Sequence, residues 1–179
     1  MKFGNNVSND TPRENPTPKT YPSRLIGIYD IGMQQDFDKT KPNKHQVVFI
    51  YDLLGKERKT DGSVFQVIET LTLSLHAKAT LPNRLKAFGA PIQKKNDDWF
   101  DLPESFSIST LLGNDCMLEV GLNTKGNPKV KNVIQTMDGI TVKEAVSEFG
   151  FLDLDADDYL DHLYNAPKWI QNKVEHQAE

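Results

Sequence analysis

The residues with the most evident chemistry are cations gathered in three short stretches: Lys39, Lys41 and Lys44; Lys56, Arg58 and Lys59; and Lys125, Lys129 and Lys131. Four aromatics, Tyr29, Phe49, Tyr51 and Phe65, stand in β-prone runs among them. Cations displace counterions from phosphates and ring faces stack on bases, so this combination suits a single-stranded nucleic acid. A lone lysine is as simply explained by solvation, and a lone aromatic by core packing; the signal is the clustering. Tyr29 and Tyr51 are the better stacking candidates, Phe49 and Phe65 the better core residues.

Little else in the chain resembles an active site. His45, His76, His162 and His176 are scattered, and no nucleophile elbow, zinc-protease helix, phosphate-binding loop or dinucleotide turn occurs. Cys116 alternates with Leu118, Val120 and Leu122, which reads as a small buried hydrophobe; without a second cysteine it can form neither an internal disulfide nor a cysteine zinc site. Asp97, Asp98 and Asp101 read as a solvated loop. Asp153, Asp155 and Asp157 match positions one, three and five of a calcium loop, but Asp158 stands where glycine is needed and Tyr164 where the bidentate glutamate belongs. No catalytic residue, metal or cofactor is expected.

The elements that must position the basic stretches are mostly strands. Arg24 to about Met33 is apolar and β-prone, HQVVFIYDLL follows a polar loop, and VFQVIETLTLSL alternates, with Phe65, Val67, Leu71, Leu73 and Leu75 on one face. In HQVVFIYDLL, Val47, Phe49 and Tyr51 compete with Val48 and Ile50 for the core. Leu81, Leu85 and Phe88 then recur at helical spacing, with Pro82 suited to the first turn and Gly89 to the end. SISTLL allows one further turn, and CMLEVGL and KVKNVIQTM make a hairpin across a Lys-Gly-Asn turn. A last helix is expected from Ala166 or Pro167 to His176, capped by Asn165, with Trp169, Ile170 and Val174 as its apolar stripe. Three strands, a helix and two strands is the order of an OB-fold, a mainly β, five-stranded barrel with one helix between strands 3 and 4; another small antiparallel domain with a covering helix remains the alternative. The expected organisation is a tail over 1–20, the β domain over 21–140, and an acidic segment with the terminal helix over 141–179.

Length and charge bound this reading. The chain's 179 residues suffice for one domain with appendages, and no run approaches a membrane span or a secretory signal, which suggests a soluble intracellular protein. The net charge of −4 disfavours a polyanion only until it is divided: residues 1–138 hold 18 Lys and Arg against 16 Asp and Glu, and residues 139–179 hold 3 against 9. Between Glu148 and Asp161 six acids stand without a cation.

The segments YPSRLIGIYDIGMQ, ETLTLSLHAKATLPNRLKAFGA and SISTLLGNDCMLEVGLNTKGNPKVKNVI, followed by acids leading to NAPKWIQNKV, resemble in that order a family of bacteriophage OB-fold proteins that bind single-stranded DNA. The resemblance runs over roughly residues 21 to 175. It implies a protein of phage replication and recombination that coats single strands in the cytoplasm of the infected cell. Replication or recombination proteins are expected as partners through the acidic carboxyl-terminal region. The chain departs from the family's habit in ending EHQAE, without a terminal aromatic or apolar residue. An internal acidic-hydrophobic segment, with Phe149, Phe151, Asp153, Asp155, Asp157 and Asp158, is the substitute docking element, unless its apolar groups pack back on the β domain. If its charge competes with DNA, deleting residues 148 to 179 should tighten binding at low salt. The competing function is a phage-encoded interaction or assembly module that binds no DNA.

Overall fold

The curl of the main sheet begins with one long strand that changes neighbours along its length. In the computed structural model, which describes residues 13–136 and 147–178, strand β1 runs over Lys19–Gln34. From Ser23 onward it pairs antiparallel with β2 (Lys44–Leu53), whereas its other edge pairs with β6 (Asp115–Leu122) only over Lys19–Arg24. Beyond that point β6 leaves, and β8 (Gly150–Leu152) takes the vacated edge, parallel to Gly27–Tyr29. Two register shifts, at Leu25/Gly27 and Asp30/Met33, bend the strand as bulges do. At the second, Gly32 has a φ of +67° and donates its amide to Asp30 Oδ1 at 2.8 Å.

The remaining large strands are β3 (Phe65–Thr72), beside β2, and β7 (Pro128–Gln135), beside β6, giving the order β3-β2-β1-β6-β7. The edges β3 and β7 approach one another, but no ladder joins them, so the barrel is not closed. Between β3 and β6 lie helix α1 (Leu81–Ala87), the short hairpin of β4 (Gln93–Lys94) and β5 (Phe100–Asp101), and a 3-10 turn at Ile108–Leu111. Helices α2 (Tyr159–Asn165) and α3 (Lys168–Glu175) follow β8. With 38% of the described residues in strands and 17% in helices the structure is mostly β, as the alternation predicts.

Two apolar cores explain why β2 is buried on both faces. Val47, Phe49 and Tyr51 join Leu25, Ile28, Phe65, Val67 and Leu118 in the core enclosed by the sheet, which α1 covers with Leu81, Leu85 and Phe88. Val48 and Ile50 face the other way, with Ile26, Tyr29 and Ile31, under Leu152, Ala166 and Ile170. The competition between the two sets in HQVVFIYDLL has no loser, because the carboxyl-terminal region supplies a second core. Gly150 makes that contact possible: a Cβ there would collide with the Tyr29 hydroxyl.

Several expectations need correction. The first strand starts at Lys19 rather than Arg24, and part of the expected tail is anchored: Glu14 accepts from the Thr60 amide and Asn15 donates to the Gly126 carbonyl at 3.3 Å. β3 ends at Thr72, so Leu73 lies beyond it and is exposed. Asn165 ends α2 instead of capping α3, which starts after Pro167 with no side-chain cap. Trp169 is partly exposed; Ile170 is the buried member of the stripe. The boundary expected at 140/141 and residues 1–12 of the tail lie outside the described residues.

Candidate nucleic-acid interface

A broad concavity follows the unjoined seam between β3 and β7. It has a volume of about 820 Å³ and is walled by Ile68–Leu71 on one side, Pro128–Asn132 on the other, and Thr80, Asn83 and Arg84 of the α1 end. Lys129 and Lys131 alternate with buried Val130 along β7, so the strand turns its valines inward and its lysines to the groove. Neither lysine makes an ion pair among the described residues, which leaves both charges available.

Beneath the groove lies a polar group that the apolar alternation of β3 interrupts. Glu69 falls between Val67 and Leu71 and points inward, where Arg84 grips it with Nε at 3.1 Å from both carboxylate oxygens and Nη2 at 2.6 Å from Oε1. The Tyr51 hydroxyl donates to Glu69 Oε2 at 3.3 Å. Burial opposes the Arg84 charge, but the hydrogen bonds and charge of Glu69 outweigh it and hold the guanidinium above its ordinary pKa. Burial, aided by the Glu69 charge, raises the Tyr51 hydroxyl well above its ordinary value.

The three cationic stretches do not form one patch. The β2–β3 loop (54–64) and the β6–β7 tip (123–127) share the end of the sheet where β1 begins, tied together through Glu14, Asn15 and Thr17. Lys56, Lys59 and Lys125 are unpaired there among the described residues, while the Arg58 guanidinium folds back on the Gly55 and Glu57 carbonyls. Lys39, Lys41 and Lys44 lie at the opposite end of β2, about 30 Å from the β2–β3 loop along the strand contour. Lys44 is paired with Asp36 at 2.8 Å and Lys41 with Asp38 at 3.8 Å. The hydrogen bond from Lys44 comes first among the causes that hold Asp36 below the usual carboxylate range. The β1–β2 loop is therefore close to neutral, and the basic end of the molecule is the one nearest the groove.

At that basic end Glu57 is the anchor. Its carboxylate lies 2.8 Å from Lys19 Nζ, accepts from the Thr17 amide at 2.9 Å, and lies 2.8 Å from the Tyr21 hydroxyl. These contacts, the Lys19 bond first, depress its pKa from 4.5 to about 2. The folded protein thus gains from the Glu57 charge above its ordinary pKa and loses that gain as pH falls from about 4.5 towards 2. Glu57→Gln should flatten this part of the acid limb of stability, read from thermal melts over that range, and leave neutral-pH behaviour of the groove intact.

The stacking role expected of two tyrosines is corrected by their burial. Tyr51 is wholly enclosed, stacked on Phe88 with centroids 6.4 Å apart, and Tyr29 lies under the carboxyl-terminal layer. Neither presents a ring face to a base, because β1 and β2 are covered on both sides. Cys116 is also fully buried, and burial pushes its thiol up to about 12, which makes it inert at neutral pH.

The acidic segment is built into the fold. Leu152 is buried, Leu154, Tyr159 and Leu163 pack on the second core, and Phe151 packs on the first. Phe149 remains 54% exposed, and Asp155, Asp157 and Asp158 face solvent. Asp153 accepts the Asp155 amide at 3.0 Å, and Asp158 lies 3.2 Å from His162 Nε2. So the packing-back alternative holds for most of the apolar groups, while Phe149 and the three exposed acids stay accessible.

Two features escaped the sequence reading: the Glu69–Arg84 pair, signalled by a charge at an inward position, and Trp99, which stands 46% exposed on the β4–β5 hairpin. No protein-family model matches the chain, and no curated protein matches it as a relative. No helix among the described residues is long and apolar enough to cross a membrane.

Proposed function

We propose that this chain is a single-stranded DNA-binding protein of the OB type, acting in phage replication or recombination without strong sequence preference and without a catalytic role. The observation that carries the reading is the β3–β7 groove, open, polar and edged by Lys129 and Lys131, which make no ion pair among the described residues. Its support in the fold is the strand order β3-β2-β1-β6-β7 with a helix after the third strand, the order an OB barrel requires, here with the last seam left open. The strand of DNA lies along that seam from Lys59 and Lys125 past Lys129 and Lys131, with phosphates on the lysines and amide contacts from Asn83 and Asn132.

Titration of fluorescent oligo-dT against salt tests this. Each neutralised phosphate contributes about 0.7 to the negative log–log slope, so Lys129→Ala with Lys131→Ala should reduce the slope by about 1.4 and weaken binding. The pair Lys41→Ala and Lys44→Ala should change the slope far less, since both cations already have carboxylate partners. Preference for duplex over single strands, or a salt-independent affinity, would refute the groove assignment. An absence of any shift at micromolar protein favours the interaction-module reading, for which the accessible Phe149 and the solvent-facing Asp155 and Asp157 are the supporting features.

A further inference from the structure

A groove lined by lysines and amides accounts for phosphates but offers no ring on which a base can stack. The tyrosines first suited to that role are buried, so an accessible aromatic on a segment that adjoins the groove becomes decisive. Thr80, which lines the groove, is one residue beyond a tight turn closed by the Ala79 amide on the His76 carbonyl at 2.9 Å. Such a turn keeps its ends within about 7 Å. His76 in turn bridges to Trp99, with ring centroids 5.0 Å apart and planes at 85°.

Trp99 has no core role to explain it, since it belongs to neither apolar cluster and nearly half of it is exposed. Yet it is held rigidly. Its amide donates to Asn96 Oδ1 at 2.9 Å, and its carbonyl accepts from Lys95 N at 2.9 Å. The hairpin is pinned to the chain after β3 by Phe100 N on Leu75 O at 2.9 Å and Ala77 N on Asp98 O at 2.8 Å. The His76 ring is itself oriented, because Nδ1 accepts the Lys78 amide at 3.1 Å. A large exposed ring on a braced hairpin is preorganised for a flat partner and loses little freedom on binding one.

We infer that Trp99, braced by His76, is a base-stacking platform at the α1 end of the groove, taking one unpaired nucleobase by its π-face. The inference rests on the single-strand reading above. The local charges support a base contact over a phosphate contact: Lys78, Lys94 and Lys95 are offset by Asp97, Asp98 and Asp101, and Lys94 is spent on Asp97 at 3.4 Å. Stacking at Trp99 should therefore add affinity without adding to the salt slope, the reverse of what Lys129 and Lys131 do.

The full chain carrying Trp169→Phe leaves Trp99 as the single tryptophan. It is titrated with oligo-dT and with an abasic deoxyribose-phosphate oligomer of equal length and charge. Oligo-dT should quench Trp99 and bind roughly 5- to 150-fold tighter than the abasic strand, the range expected of one stacked base. Trp99→Leu should erase most of that difference with the salt slope unchanged, and Trp99→Phe should retain part of it. Equal binding of the two strands, or a difference that persists in Trp99→Leu, overturns the platform while leaving the groove standing. Failure of the unsubstituted chain to bind either strand overturns the single-strand reading and the platform with it.

Discussion

Ile170→Ala should lower the unfolding free energy by about 2–5 kcal/mol, one of the largest losses any single aliphatic truncation in this chain can cause. Ile170 is wholly buried and is the centre of the contact between α3 and the outward face of β1 and β2, where Ile26, Tyr29, Ile31, Val48 and Ile50 meet Leu152 and Ala166. Truncation removes the transfer free energy of three carbons and leaves a void that a helix held at both ends by its neighbours fills poorly. For a chain of this length each kcal/mol moves the melting temperature by about 2–4 °C, so calorimetry should register a drop of roughly 4–20 °C. A change under one degree would mean that α3 is not seated as described. The same packing alters how the acidic segment must be tested. Deleting residues 148–179 would uncover several buried side chains at once, each worth about 1.5–3 kcal/mol, so unfolding would mask any tightening of DNA binding. Asp155→Asn, Asp157→Asn and Asp158→Asn together remove three solvent-facing charges and leave the second core in place. If the segment competes with DNA, this variant should bind oligo-dT more tightly at low salt and equally at high salt; equal binding at both refutes the competition.

The second large effect belongs to Glu69. Glu69→Ala strands the Arg84 guanidinium beneath the groove, 5% exposed and without the carboxylate that takes its three short hydrogen bonds. Removing one partner of a buried pair costs about 3–5 kcal/mol, mostly because the remaining charge is left unsolvated. Glu69→Gln keeps one acceptor and should lose less. The double substitution Glu69→Leu with Arg84→Met removes both charges and should return most of the stability, since a buried ion pair contributes little over apolar groups of similar size. Urea unfolding of the unsubstituted chain and these three variants checks that order of stabilities. A double variant as unstable as Glu69→Ala would show that the pair stabilises the seam by more than mutual neutralisation. The α1 end of the groove would then depend on it for shape.

The local pattern of this protein was legible in its residues. Alternation located the five long strands to within a few positions, and the Leu81, Leu85, Phe88 spacing with Pro82 and Gly89 located α1, because period, proline and glycine act through the chain's own backbone. The division of charge at residue 138 was legible too, being a property of sequence order. What the alternation did not carry was which face of β2 is covered, since Val47 and Val48 are equally apolar and only the return of α3 over the sheet buries both. Tyr29 became core for the same reason. The lysine stretches looked alike in sequence, yet Asp36 and Asp38 pair with two lysines of one while the antiparallel pairing of β2 and β6 with the start of β1 brings the other two to the same end. Glu69 and Trp99 had the weakest signals, a charge at an inward position and an aromatic in an irregular stretch. Their partners, Arg84 and His76, lie 15 and 23 positions away and meet them only when the chain folds. Secondary structure and charge order were thus determined by neighbours in sequence. Burial, pairing and the groove were decided by contacts between distant segments, which no local period encodes.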